Sequence, residues 1–332
     1  MPSPTQTVRH TLSVGSGARL RADIVVNEAF LQEVLEGLSQ PQKMLSPKWL
    51  YDERGSELFQ AITLTEDYYL TRTEASIMPT VYAELHDYVP HGMAIAEFGS
   101  GAGIKSRRLV EAAEPSVYVM IDVAEEFLRA SSVKMQSLFE AVDVHGVVGD
   151  FSGSVALPPS FLEAKNRMGF FPGSTIGNFE KGGAEEFLRR SRESLGSGAH
   201  FLIGADLVKD EDVLLSAYDD SDGITRQFTL NVLQRMRREL DAVLDREGFE
   251  AVALWNPVEA RMELGCVAKG PQTIEVGGKT FSFEDGEMIH TENSHKYTRD
   301  SLSAIADRAG WSVTKMWTDD NAWFGVFLLE AH

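Results

Sequence analysis

Between residues 94 and 109 the chain reads AIAEFGSGAGIKSRRL, and glycines 99, 101 and 103 stand where an apolar run hands over to a segment of helical spacing. A glycine turn at such a junction lets a ligand approach the backbone, because no Cβ intervenes, and the helix start offers unpaired N–H groups. That chemistry suits a nucleotide-like ligand. The spacing is G-x-G-x-G, with Glu97 two residues before the first glycine, and so departs from the G-x-G-x-x-G dinucleotide fingerprint. Asp122 and the pair Asp150-Phe151 close two later apolar runs. Either acid alone is as well explained as the cap of a turn. Three sites at consecutive strand ends, however, converge on one crevice at the carboxyl edge of an open α/β sheet.

The elements that must hold these residues can be read from periodicity. NEAFLQEVLEGLS and ERGSELFQAITL have helical apolar spacing, and TRTEASIMPTVYAELHDYV opens with a Thr71/Glu74 pairing that suggests a capping box. From about residue 92, apolar runs alternate with helical segments through AHFLIGADL, the pattern of five strands in a parallel sheet covered on both faces. A helical stretch from 208 to 246 precedes four strand-like runs, with VGGK a hairpin turn, and the end reads helix, strand, strand. The expected organisation is a tail at 1–25, a helical cap at 26–90 contributing to the substrate site and an α/β domain at 91–207. A second, α+β substrate-recognition domain follows at 208–298, and 299–332 returns to the first sheet.

The 332 residues carry a net charge of −19, which opposes a nucleic-acid backbone. No apolar run approaches the roughly 20 residues of a membrane span, and the polar N-terminus lacks the apolar core of a secretory signal. The single cysteine, Cys266, forms no internal disulfide, and no Cys/His cluster has zinc-ligand spacing. The expectation is a cytoplasmic monomer acting on a small molecule, without metal, nucleic acid or membrane.

Glu97-Phe98-Gly99-Ser100-Gly101-Ala102-Gly103 resembles the first motif of class I S-adenosylmethionine (SAM) methyltransferases, which have a Rossmann-like α/β sheet. The resemblance implies Asp122 at the ribose diol, Asp150 and Phe151 at the adenine, and Lys105 facing the cofactor carboxylate. Two further stretches, PKWLYDERGSELFQAITLTEDYYLTRTEA and FFPGSTIGNFEKGGAEEFL, resemble signature segments of the histidine-specific methyltransferase family. AYDDSDGITRQF, RMELG, HTENSHKY and MWTDDNAWFGVFLL follow in the family's order. The activity implied is trimethylation of the L-histidine α-amine to hercynine in ergothioneine biosynthesis, with S-adenosylhomocysteine as the other product.

Carried over residue by residue, the family's pattern puts Asn178 and Tyr218 on the substrate carboxylate. It puts Tyr51 near the amine, with the Gly173 carbonyl accepting one of the amine's hydrogen bonds. Glu292 and Ser294 fall on the imidazole, with Tyr68 beside the ring, Met262 lining the pocket and Phe59 adding an aromatic face. An amide and a phenol can hold a carboxylate without a cation that would repel the sulfonium, and aromatic faces tolerate the quaternary ammonium product. Taken out of this context, Tyr51, Phe59 and Tyr68 read as core aromatics, Met262 as a gap-filler and Glu292 as a solvated charge on an edge strand. His290 and His295 flank TENS without the spacing of a base or a ligand set. Methylation of another amino acid such as tryptophan, non-catalytic SAM binding and nicotinamide-dependent dehydrogenation stay open as alternatives.

Overall fold

In chain order, α1 (Glu28–Gly37) and α2 (Glu53–Ile62) are followed by α3 (Tyr69–Glu84). Strand and helix then alternate: β1 (Ala94–Phe98), α4 (Ile104–Ala113), β2 (Val117–Asp122), α5 (Glu125–Leu138), β3 (Asp143–Val148), α6 (Pro159–Leu162), β4 (Arg167–Phe171), α7 (Gly183–Leu195) and β5 (His200–Asp206). Helices α8 (Glu211–Tyr218) and α9 (Ile224–Glu239) lead into β6 (Val243–Leu244), β7 (Phe249–Asn256), β8 (Arg261–Ala268), β9 (Gln272–Val276), β10 (Lys279–Phe283) and β11 (Met288–His295). The chain closes with α10 (Arg299–Arg308), β12 (Trp311–Thr318) and β13 (Phe324–Ala331). This computed structural model describes residues 27–332 apart from 102, 152, 154 and 181; the expected tail at 1–25 lies outside the described residues.

Two compact units result. The first joins the described residues up to Tyr68 with Glu211–Asn256 and Met262–Glu292; the second joins Tyr69–Asp210, Pro257–Arg261 and Asn293–His332. The helices expected as a single cap at 26–90 are therefore divided. Helix α3 goes with the sheet because Ile77, Met78 and Val81 share an apolar cluster with Ile95, Tyr118 and Met120. Its start also differs from the reading of the sequence: the helix begins at Tyr69, so Thr71 and Glu74 lie inside it rather than forming a capping box.

In the second unit seven strands run in the order β12-β13-β5-β4-β1-β2-β3. The pairs among β1 to β5 are parallel, while β13 is antiparallel to both β5 and β12. Alternate residues of each strand face opposite layers, and here both layers are covered. Ala94, Ala96 and Phe98 join a cluster with Val119, Phe187 and Trp311, whereas Ile95 joins the cluster that includes α3. This explains why β1 reads as an unbroken buried run. The one carboxylate in it, Glu97, is 1% exposed.

In the first unit α2 packs on α9. Asp52 caps α2, accepting from Gly55 N–H at 2.7 Å and from Asn231 Nδ2 of α9 at 2.7 Å. Only glycine fits at 55, since a Cβ there would lie 1.7 Å from the Leu50 carbonyl oxygen. Tyr51, immediately before this cap, and Phe59, within α2, are thereby fixed to α9. Two three-stranded sheets, β10-β9-β6 and β11-β8-β7, complete the architecture.

Candidate functional site

The glycine turn has the expected conformation: Gly99, Gly101 and Gly103 have φ of 72°, 48° and 68°, a region that side chains disfavour. Gly99 and Ser100 donate to the Ile121 carbonyl at 2.9 and 3.1 Å, tying the turn to the end of β2. A Cβ at Gly101 would meet nothing within 4 Å, and one at Gly99 would lie 3.4 Å from the Phe151 ring. Open space above the turn, with Phe151 at its side, is what close approach of a nucleoside requires. Asp122 Oδ2 accepts from Gly101 N–H at 2.9 Å and Oδ1 from Ala124 N–H at 3.0 Å. The carboxylate thus caps the loop, and each oxygen keeps a second acceptor position for a diol. Asp150 is exposed at the end of β3, and Phe151 packs edge-on against Phe171 at 5.4 Å between ring centroids.

Beneath the turn, Glu97 accepts hydrogen bonds from Ser106 Oγ and, at 2.8 Å, from the Tyr118 hydroxyl. Burial outweighs these donors and the nearby Lys105 and pushes the carboxyl up to about 7. The folded state therefore holds this proton more tightly than the unfolded chain, and the resulting stability fades as pH rises from about 4.5 to about 7. The Glu97→Gln variant, which cannot ionise, should match the wild type near pH 5. By pH 8 it should be the more stable by up to roughly 3 kcal/mol. Thermal melts at both pH values check this; a gap that does not change with pH would show that Glu97 does not titrate in this range.

Lys105 is not simply open to solvent. Its ammonium pairs with Glu74 of α3, whose other oxygen accepts from Gly173 N–H at 2.8 Å. Glu74, 2% exposed, thus ties α4 to the loop after β4, where Gly173 and Ser174 have φ of 80° and 61°. That loop carries Asn178 at the end of a short 3-10 turn, Thr175–Asn178. It packs on the end of β11, since a Cβ at Gly177 would lie 2.7 Å from the His295 carbonyl oxygen, and the Tyr297 hydroxyl donates to Ile176 O at 3.1 Å. Asn293 donates to Glu180 at 2.9 Å. Behind Ser294 lies a buried charge cluster. Lys296 Nζ contacts Ser294 Oγ and Asp206 Oδ2, each at 2.8 Å, and Asp206 also binds the Tyr69 hydroxyl and Lys209 Nζ.

The first unit gathers the aromatic residues. Tyr51 lies edge-on to Phe59 and Phe228, at 5.5 and 5.1 Å between centroids, Phe59 meets Tyr68 at 6.4 Å, and Tyr68 meets Tyr218 at 6.3 Å. Tyr51 as a whole keeps 37% of its surface. Burial, and then the charge of Glu292 with Tyr68 and Tyr218, holds this phenol well above its ordinary range. It is therefore a neutral hydrogen-bonding group rather than a phenolate base. Glu292 is 8% exposed on β11, and Met262 of the adjacent β8 is fully buried, a position that a core residue would also occupy.

The family described as histidine-specific, SAM-dependent methyltransferases matches residues 30–331. The chain belongs to that family. It is a SAM-dependent methyltransferase with a class I sheet, and SAM is its methyl donor. The histidine N-alpha-methyltransferase of Mycobacterium tuberculosis is 37% identical over 306 residues, 90% of this chain and 94% of that one. A protein of the same name from Mycolicibacterium smegmatis is 36% identical, over 91% of this chain and 94% of that one. Ergothioneine biosynthesis protein 1 of Neurospora crassa is 28% identical, 97% of this chain matching 38% of that protein. Among the described residues, no helix of this methyltransferase is long and apolar enough to cross a membrane.

Phe228, Asp206 and Lys296 were not singled out by the sequence, and Glu74 was read there only as half of a capping box. Phe228 sits in the quoted ITRQF but reads there as one apolar position of a helix. Asp206 and Lys296 carried a signal that could have been weighed, since each places a charge in an otherwise strand-like run.

Proposed function

We propose that this methyltransferase transfers three methyl groups in succession to the α-amine of L-histidine, giving hercynine for ergothioneine biosynthesis. The observation that carries the reading is the aromatic chain that starts at Tyr51: its ring meets Phe59, Phe59 meets Tyr68 and Tyr68 meets Tyr218, while the charge of Glu292 bears on the Tyr51 phenol. These are the residues that the family's histidine pocket requires.

SAM, when bound, supplies an electrophilic methyl group on a sulfonium. In the second unit we assign its holding to the Gly99–Gly103 turn, Asp122, Asp150 and Phe151, with Glu97 supporting the turn from below and Lys105 at the edge of the site. The amine must be neutral to attack and must be aligned with the methyl group. Tyr51, kept protonated, and the Gly173 carbonyl serve as the amine's hydrogen-bond partners; we assign neither the role of a charged base. Asn178 and Tyr218 hold the carboxylate. Glu292 accepts the imidazole N–H, Ser294 meets the other ring nitrogen, and Tyr68 and Met262 bound the ring. Tyr51, Phe59 and Phe228 offer π faces to the ammonium as methyl groups accumulate, an attraction of roughly 0.5–2 kcal/mol per face.

The reading includes a monomer working in the cytoplasm, without nucleic acid. Its support is the charge of −19 and the single cysteine, buried with its thiol pushed up to about 12. Mass spectrometry of L-histidine incubated with the protein and SAM, beside tryptophan and a no-enzyme control, tests the substrate. Histidine should gain three methyl groups and tryptophan none. Methylated tryptophan with unchanged histidine would overturn the assignment while leaving the reaction class in place.

A further inference from the structure

Lys296 is 3% exposed, and its partner Asp206 is fully buried. Burying an ammonium is costly unless its hydrogen bonds are satisfied, so the direction of each bond matters. Lys296 Nζ donates to Ser294 Oγ at 2.8 Å and pairs with Asp206 Oδ2 at 2.8 Å. The same aspartate takes the Tyr69 hydroxyl at 2.8 Å and Lys209 Nζ at 2.6 Å. Its backbone N–H donates to Ser174 Oγ at 2.9 Å, and its carbonyl accepts from Tyr297 N–H at 2.9 Å. Lys296 is therefore held by Asp206 at the end of β5 and by Ser294 of β11, and Asp206 in turn is held by the loop after β4.

An ammonium has donors only, whereas a hydroxyl has one hydrogen and two acceptor positions. With Lys296 donating into Ser294, the serine hydrogen is directed away from the lysine, and a positive charge lies directly behind the oxygen. We propose that Lys296 is a positioning residue that sets Ser294 as a hydrogen-bond donor, so that the pocket takes the substrate side chain as the neutral imidazole tautomer. This rests on the reading above, in which Ser294 meets the ring. Neutral imidazole has one N–H and one acceptor nitrogen. Glu292, two residues earlier on the same face of β11, accepts the first, and Ser294 donates to the second. Imidazolium would instead turn a second N–H toward an oxygen already backed by a cation.

The charges around this point compete. Glu292 on β11 favours imidazolium, and so does Glu180, which reaches β11 through Asn293. Lys296 opposes them through Ser294, backed by Lys209, while Asp206 offsets part of that charge. On β11 itself, burial and then Arg261 hold His295 below its ordinary value, so it adds no positive charge near neutrality.

Titration calorimetry of the intact wild-type protein with L-histidine and with 2-fluorohistidine, whose ring fluorine keeps it neutral, tests the proposal from pH 8 to pH 5. Histidine affinity should fall by about tenfold per pH unit below a ring pKa of about 6.5, and 2-fluorohistidine affinity should stay level. Histidine binding that holds or tightens toward pH 5 overturns the proposal, as does a parallel fall for both ligands, which would report a titrating protein group. No histidine binding at pH 8 overturns the substrate assignment itself. The Lys296→Met variant should weaken histidine about tenfold at pH 8, flatten its pH dependence and leave SAM affinity unchanged. In a Ser294→Ala background the same change should cost nothing more. Equal losses of histidine and SAM would mark Lys296 as structural and overturn the proposal.

Discussion

The Glu292→Ala variant is expected to bind L-histidine roughly 100- to 1,000-fold more weakly than the wild type while keeping SAM affinity within a few-fold. Glu292 is 8% exposed, so an imidazole N–H that loses this acceptor finds little water to replace it. A charged acceptor in such a place contributes roughly 1.5–3 kcal/mol, and the orphaned donor adds to the loss. The variant also removes the negative charge that helps to raise Tyr51. That phenol should then ionise closer to its ordinary range, although desolvation, the larger cause, remains. Calorimetry with each ligand separates the outcomes. If both affinities fall together, Glu292 holds the fold rather than the substrate. A Glu292→Gln variant that retains the carbonyl acceptor should recover part of the loss.

The Asp122→Ala variant should show the opposite pattern, with SAM affinity falling roughly 100-fold or more and the stability of the first unit unaffected. Two losses combine. The ribose diol loses its acceptor, and the N–H groups of Gly101 and Ala124 lose the carboxylate they donate to. Gly101, at φ 48°, has no packing neighbour for a side chain, so this hydrogen bond joins those from Gly99 and Ser100 to Ile121 in holding the turn in place. The Asp122→Asn variant keeps one acceptor oxygen and should fall between the two. Fluorescence or calorimetric titration with S-adenosylhomocysteine reads the effect directly. An unchanged affinity would leave Asp122 with only its capping role.

Both predictions concern residues visible in the sequence, and the reason is local. The glycine turn must follow a strand and open a helix, so its three positive-φ positions lie within five residues. Asp122 ends its strand, and Glu292 and Ser294 alternate on one. Periods of two and 3.6 residues place such groups on a face without any knowledge of distant partners. The same logic located the five parallel strands, the VGGK hairpin and the closing helix-strand-strand segment. Fixed spacing and motif order also carried the family.

Tertiary structure alone decided where charges are neutralised and which helices belong together. Glu74 looked like a capping residue because Thr71 stands three positions before it; only the packing of α3 on the sheet shows its carboxylate joining Lys105 to Gly173. Periodicity grouped α3 with α1 and α2, yet its apolar face is completed by residues of β1 and β2. Asp206 and Lys296 are separated by α8, α9 and two small sheets in sequence, and they meet because Tyr297 pairs with the backbone at the end of β5. Sequence specifies what a residue can donate, accept or bury. Which partner meets it across a long chain separation is settled by the register of the sheet, since only there do the desolvation cost of a buried charge and the partner that offsets it become comparable.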